Sequence, residues 1–105
     1  MSRLPAVLQK QTFKVIGSPL FIISNPKLVI EQCKAGVVGS FPALNARPKE
    51  MLEEWLQRIT TELRDYKAKN PDKKVAPFAV NQIVHSSNDR LQHDIDLCEK
   101  YRVPI

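Results

Sequence analysis

Apolar positions along the chain follow two patterns: short unbroken runs, and longer stretches in which apolar residues recur every three or four positions. The longest periodic stretch is Leu52, Trp55, Leu56, Ile59, Leu63 and Tyr66, which form one continuous stripe on a helix. Glu50, Glu53, Glu54, Arg58, Glu62 and Arg64 lie off that stripe. The pattern predicts a one-sided helix opening at Pro48 and leaving through a charged loop over 67–74. Arg47 stands where a serine or threonine cap is expected before Pro48, a departure that should cost this helix about 1 kcal/mol.

The other elements follow from the same patterning. Residues 1–12 have little periodicity and read as an arm. Lys14–Gly17 is the first predicted strand, stopped by Pro19, which cannot donate to a ladder. Leu20–Ser24 reads as an apolar loop. Asn25-Pro26 is a helix start, with a capping side chain followed by proline at the first helical position. This helix is expected over Pro26–Ala35, with Leu28, Val29 and Cys33 on one face. Gly36 can take the left-handed conformation that closes it.

Val37–Phe41 is the second strand. Gly39 within it admits either a neighbouring backbone or a flat ligand. Ala76–Asn81 is the third strand, and Gln82–Ser87 a loop. Asn88 is placed to cap a last helix over Asp89–Tyr101, with Leu91, Ile95 and Cys98 as its inner stripe. Asp89 and Asp94 near its start, and Lys100 near its end, suit the helix dipole.

The order is β-α-β-α-β-α-β, with strands apolar throughout and helices apolar on one side. That combination predicts an α/β fold with a parallel sheet carrying outer helices. Val103-Pro104-Ile105 reads as the first residues of a fourth strand. The chain is therefore expected to be the N-terminal three to three-and-a-half βα units of a longer protein; a full (β/α)8 TIM barrel takes roughly 250 residues.

Composition narrows the classes. With 105 residues there is room for one domain. No apolar run approaches the roughly 18 residues of a membrane helix, and the N-terminus has no signal-peptide pattern, so a cytoplasmic, non-membrane protein is expected. Net charge is +5, with the basic excess in residues 1–44, but no basic cluster is interleaved with aromatics. Nucleic acid is not the expected partner. Cys33 and Cys98, far apart on predicted helices, are expected to be buried thiols and form neither a disulfide nor a metal site.

In a parallel sheet ligands bind at the carboxyl ends of the strands. Ser18-Pro19-Leu20-Phe21, Pro42-Ala43-Leu44-Asn45 and Asn81-Gln82-Ile83 converge there. They offer small residues, backbone amides and carboxamides, and no acid, lysine or histidine cluster. That set suits holding a flat, polar cofactor that brings its own reactivity. Asn81 reads as readily as a turn cap as a ligand contact, and Asn45 more readily as a turn residue. His85 reads as a surface loop histidine with a pocket position as the alternative, and His93 as solvent-facing. Three glycines leave no room for a glycine-rich phosphate motif.

Three stretches carry a resemblance. They are Gly17-Ser18-Pro19-Leu20-Phe21-Ile22-Ile23-Ser24, the passage from Cys33 to Asn45, and Pro77-Phe78-Ala79-Val80-Asn81-Gln82-Ile83-Val84-His85. From about Phe13 onward the chain resembles the nitronate monooxygenase (2-nitropropane dioxygenase) family of FMN-dependent TIM barrels. The resemblance implies that Pro19, Leu20 and Phe21, then Ala43 and Asn45, and Asn81 border or hold FMN. Leucine at position 20 replaces the family's usual methionine. It implies oxidation of an alkyl nitronate by oxygen to a carbonyl compound and nitrite. The family's catalytic histidine and phosphate loops lie on later strands, so no catalytic residue is expected within these 105 residues, and the chain by itself is expected to be inactive. The alternatives are a flavin-dependent enoyl-acyl-carrier-protein reductase of the same superfamily, and a non-catalytic fragment whose open sheet edges lead it to self-associate into a homo-oligomer.

Overall fold

The computed structural model describes residues 6–9 and 15–105. Part of the predicted N-terminal arm, and Lys14 of the first predicted strand, lie outside the described residues. The elements are α1 (Ala6–Gln9), α2 (Pro26–Lys34), β1 (Gly39–Pro42), a short 3-10 turn (Ala43–Asn45), α3 (Met51–Lys69), β2 (Phe78–Asn81) and α4 (Leu91–Lys100). β1 and β2 form a parallel pair, with Gly39 opposite Phe78 and Pro42 opposite Asn81. This is a mixed α/β fold whose strands are returned by helices. No described helix is long and apolar enough to cross a membrane.

Two further segments flank the pair. Ile16 bridges Val38 in parallel on one side. On the other side, the Val80 N–H donates to the Ile105 carbonyl at 3.1 Å. The spatial order therefore follows the chain order: residue 16, β1, β2, residue 105.

The first predicted strand shrinks to a single bridge. Gly17 N–H donates to Val38 O, and Val38 N–H to Val15 O. The Ser40 hydroxyl then takes the Gly17 carbonyl, and the ladder ends. The third strand starts at Phe78 rather than Ala76, because Pro77 has no N–H and the Ala76 N–H is engaged by the Cys33 carbonyl at the end of α2.

Helix α2 starts as its sequence dictates. Asn25 caps it, its Oδ1 accepting the Leu28 N–H at 3.0 Å, and Pro26 occupies the first turn. Pro26, Val29, Ile30 and Cys33 form its buried face, while Leu28 is only half-buried. α3 buries Leu52, Leu56, Ile59 and Leu63 as the stripe predicts. It begins at Met51, because residues 48–50 form a preceding turn with Met51 N–H on Pro48 O. Arg47 is therefore not its cap, and the expected capping defect does not arise there. Glu50 holds that position, with no side-chain bond to the helix.

The main core lies on the helix side of the sheet. Phe41 is fully buried among Val29, Ile30, Cys33, Leu52, Leu56 and Ile59, and meets the Trp55 ring edge-on at 5.5 Å between centroids. Val38, Ala76 and Ala79 make a smaller second cluster. Both cysteines are free thiols. Burial pushes the Cys33 thiol up to about 11, so it is an inert packing group at neutral pH. Cys98 is only half-buried.

α4 shows the largest difference from its sequence pattern. Ile95 faces solvent, whereas Asp94 is fully buried and Leu97 and Tyr101 pack on the core. The predicted stripe of Leu91, Ile95 and Cys98 is therefore rotated. Glu53 of α3 fixes the far end of the helix, accepting from Lys100 Nζ at 2.6 Å and the Tyr101 hydroxyl at 3.0 Å. Those two hydrogen bonds hold the Glu53 carboxyl below its usual range.

Two helices end in the same paired-bond turn with different residues. After α2, Gly36 N–H bonds Cys33 O and Val37 N–H bonds Gln32 O, with Gly36 at φ 91°. After α4, Arg102 N–H bonds Glu99 O and Val103 N–H bonds Cys98 O, with Arg102 at φ 53°. Only glycine adopts this left-handed conformation without steric cost. Arg102→Gly should therefore raise stability by roughly 0.5–1 kcal/mol, and Gly36→Ala should lower it by about 1 kcal/mol. Urea unfolding of the two variants checks the pair; equal effects of one sign would contradict the assignment.

Candidate functional site

Because the strands are parallel, their carboxyl ends share one edge, and the loops over 18–24, 43–47 and 82–88 gather there. The first of these exposes apolar side chains in succession. Leu20, Phe21, Ile22 and Ile23 are all solvent-facing, Ile22 at 73%. Ile22 also sits at φ 67°, a strained conformation for a β-branched residue. Such a loop does not hold itself in place.

Asn45 holds it. Its Nδ2 donates to Leu20 O and to Ser24 O, both at 2.9 Å, and its Oδ1 accepts the Ile22 N–H at 3.1 Å. The buried Ser24 hydroxyl accepts the Leu20 N–H at 2.7 Å, and Ser24 N–H returns to Leu20 O. The Arg47 guanidinium lies over the Phe21 ring at 5.1 Å. Both Nδ2 hydrogens and one Oδ1 lone pair of Asn45 are thus taken up by the loop, so this side chain positions the edge.

The remaining predicted site residues divide. Pro19, Leu20 and Phe21 are exposed on the edge. Ala43 is buried, its carbonyl accepting from Arg90 Nη2 at 3.2 Å. Asn81 ends β2, exposed, and its carboxamide has no hydrogen-bond partner among the described residues. Successive strand side chains alternate between faces. Gln82 turns to α4, its Nε2 on Cys98 Sγ at 3.4 Å. Asn81 accordingly lies on the face away from α4, the face shared by Ala79 and Ser40.

Gly39 resolves the choice its sequence left open. A Cβ there would lie 2.6 Å from the Val29 carbonyl, so the bare position admits the backbone of α2 and not a ligand. His85 is an exposed loop residue, its Nδ1 within 2.8 Å of the Ser87 hydroxyl. His93 is not simply solvent-facing: it is partly buried, with Nδ1 2.9 Å from Asp94 Oδ1. Among the described residues, no three His, Cys, Asp or Glu side chains come together as a metal would need.

The patterning gave no sign of an arginine clamp beneath the edge. Arg90 donates through Nε to Asp94 Oδ2 at 3.0 Å, through Nη1 to Ala46 O at 2.7 Å, and through Nη2 to Asp94 Oδ1 and Ala43 O. A buried carboxylate is rare unless paired in this way. The clamp ties the start of α4 to the loop after β1. Four of its five N–H donors are spent on these partners, and the side chain is 13% exposed, so it serves the fold before any ligand. The Arg90–Asp94 spacing of four is the one signal that sequence reading could have used. Asn88 organises the loop after β2, donating to Ile83 O and accepting from Arg90 N–H one position before α4 begins.

Asn45→Ala removes three bonds to the loop and should cost roughly 2–3 kcal/mol. Amide exchange at Ile22 and Ser24 should accelerate while that of Leu56 and Ile59 in α3 stays slow. Unchanged exchange in the loop would show that Asn45 does not hold it.

Set against protein-family models, curated proteins and solved structures, the chain matches none of them.

Proposed function

We propose that the chain supplies the first βα units of an FMN-dependent (β/α)8 barrel that oxidises alkyl nitronates to a carbonyl compound and nitrite. The observation that carries this reading is the construction of the carboxyl edge. An exposed loop over 18–21, fixed by Asn45, stands beside an unpartnered Asn81 carboxamide at the end of the next-but-one parallel segment. The spatial order of residue 16, β1, β2 and residue 105, with no reversal, is the order in which a barrel closes.

These residues fit the ring part of FMN. Asn81 offers a free donor and acceptor, and the loop over 19–21 offers exposed backbone beside apolar side chains. Arg90, the cation beneath this edge, already spends four of its five donors on Asp94 and two carbonyls, so the reading assigns the phosphate part to other strands of the barrel. FMN, when bound, supplies the two-electron chemistry with nitronate and oxygen. The residues of this chain would hold and orient it: Asn45 fixes the loop, and the Asn81 carboxamide would hydrogen-bond the polar ring. On this reading the acid–base group of the reaction would come from another strand of the barrel, since the exposed His85 of this edge is turned to the Ser87 hydroxyl.

Titrating FMN into the purified chain tests this reading. A structured, shifted visible spectrum is expected, and Asn81→Ala should weaken binding by about tenfold, the loss of a hydrogen bond or two. Nitrite release from a nitronate in air identifies the reaction where flavin is retained. An unperturbed flavin spectrum, or an Asn81→Ala variant that binds as the parent does, would overturn the assignment.

A further inference from the structure

At the opposite end of the sheet, where the chain enters β2 and approaches Ile105, lies a cavity of about 400 Å³. Its floor is apolar, made by Leu63 of α3 together with Val75, Ala76 and Phe78. Arg64, Lys67 and Arg102 also line it, and no acidic side chain does. Lys67 Nζ is held by the Lys73 carbonyl at 2.7 Å, which leaves it two further donors. The Arg64 and Arg102 guanidinium groups have no ion pair or hydrogen bond among the described residues. Three cations around an apolar floor, without a neutralising carboxylate, form a receptor for negative charge.

A second observation concerns Arg102 itself. It occupies the left-handed position that ends α4, the position filled by Gly36 after α2. Glycine would make the same turn without steric cost. A side chain kept at a strained position points to a use for that side chain.

We propose that this cavity binds a small anion carrying an aliphatic chain: a carboxylate or phosphate on an alkyl group. Arg64 and Arg102 meet the anion, Lys67 adds its charge, and Leu63, Val75 and Phe78 take the apolar part. The site is independent of the flavin reading, because it lies at the amino ends of the strands and shares no residue with the carboxyl edge.

Octyl phosphate below its micelle concentration is the probe, with inorganic phosphate and 1-octanol as controls, followed by isothermal titration. Octyl phosphate should bind at least about fivefold more tightly than either control, and more weakly as salt is raised. Arg102→Gly and Arg64→Glu should each weaken it by about fivefold or more. Arg58→Glu, a charge change of the same size as Arg64→Glu outside the cavity, should leave binding intact. Arg102→Gly should fold at least as stably as the parent, so its loss of binding cannot be read as unfolding. Equal binding of 1-octanol, indifference to both cavity variants, or an equal loss in Arg58→Glu would each overturn the proposal. So would co-sedimentation with phosphatidylglycerol vesicles without binding of monomeric octyl phosphate.

Discussion

The close approach of α2 to β1 at Gly39 is the contact on which the rest of the structure depends. Any side chain there would meet the Val29 backbone: a Cβ would sit 2.6 Å from its carbonyl oxygen and 3.1 Å from its Cα. Neither is a flexible atom that could yield. With α2 at that distance, Val29, Ile30 and Cys33 reach Phe41, and α3 closes over the same ring with Leu52, Leu56 and Ile59. Burial of these side chains is the main stabilising term of the fold. It is confined to one face of a two-stranded sheet, so the position of that sheet under α2 decides whether the core forms.

The two ends of the strands are built from different chemistry. At the carboxyl edge, long-range side-chain to backbone bonds fix loops that have little packing of their own. Asn45 fastens the segment over 20–24, and Arg90 fastens the carbonyls of Ala43 and Ala46 while pairing with buried Asp94. Removing Asp94 would leave a largely buried guanidinium short of its counter-charge, which is costlier than losing an exposed ion pair. At the amino ends, Arg64 and Arg102 border an apolar floor with no such partner among the described residues, and Lys67 has one carbonyl. One end is stabilised by satisfying its polar groups, whereas the other keeps unpaired charge beside an apolar surface.

Much of this was legible in the sequence wherever the signal is local. Asn25-Pro26 opens α2, Gly36 closes it in the left-handed conformation, and the stripe from Leu52 to Leu63 is the buried face of α3. The parallel α/β class follows from apolar strands alternating with one-sided helices. What could not be read is the set of contacts between distant positions. Asp94 looked like a residue suited to the helix dipole, because nothing near it in sequence reports the carbonyls of Ala43 and Ala46 that Arg90 also binds. For the same reason the inner face of α4 was assigned to Ile95. Asn45 read as a turn residue or a ligand contact, since its three partners lie more than twenty positions away. The first strand was overestimated because the Ser40 hydroxyl, and not a backbone N–H, takes the Gly17 carbonyl. Arg102 gave no sequence signal at all, because its left-handed turn is a glycine position occupied by another residue.

The role proposed for the carboxyl edge of this parallel sheet is to hold a flavin ring. Amide chemical shifts recorded while FMN is added test it most directly, because they report where the ligand sits as well as whether it binds. Perturbations are expected at residues 18, 20–22 and 81–83, with the amides of residues 63–67 and 102–103 unmoved. Shifts confined to residues 63–67 and 102–103 would place the molecule in the cationic cavity through its phosphate, and would rule out the flavin assignment.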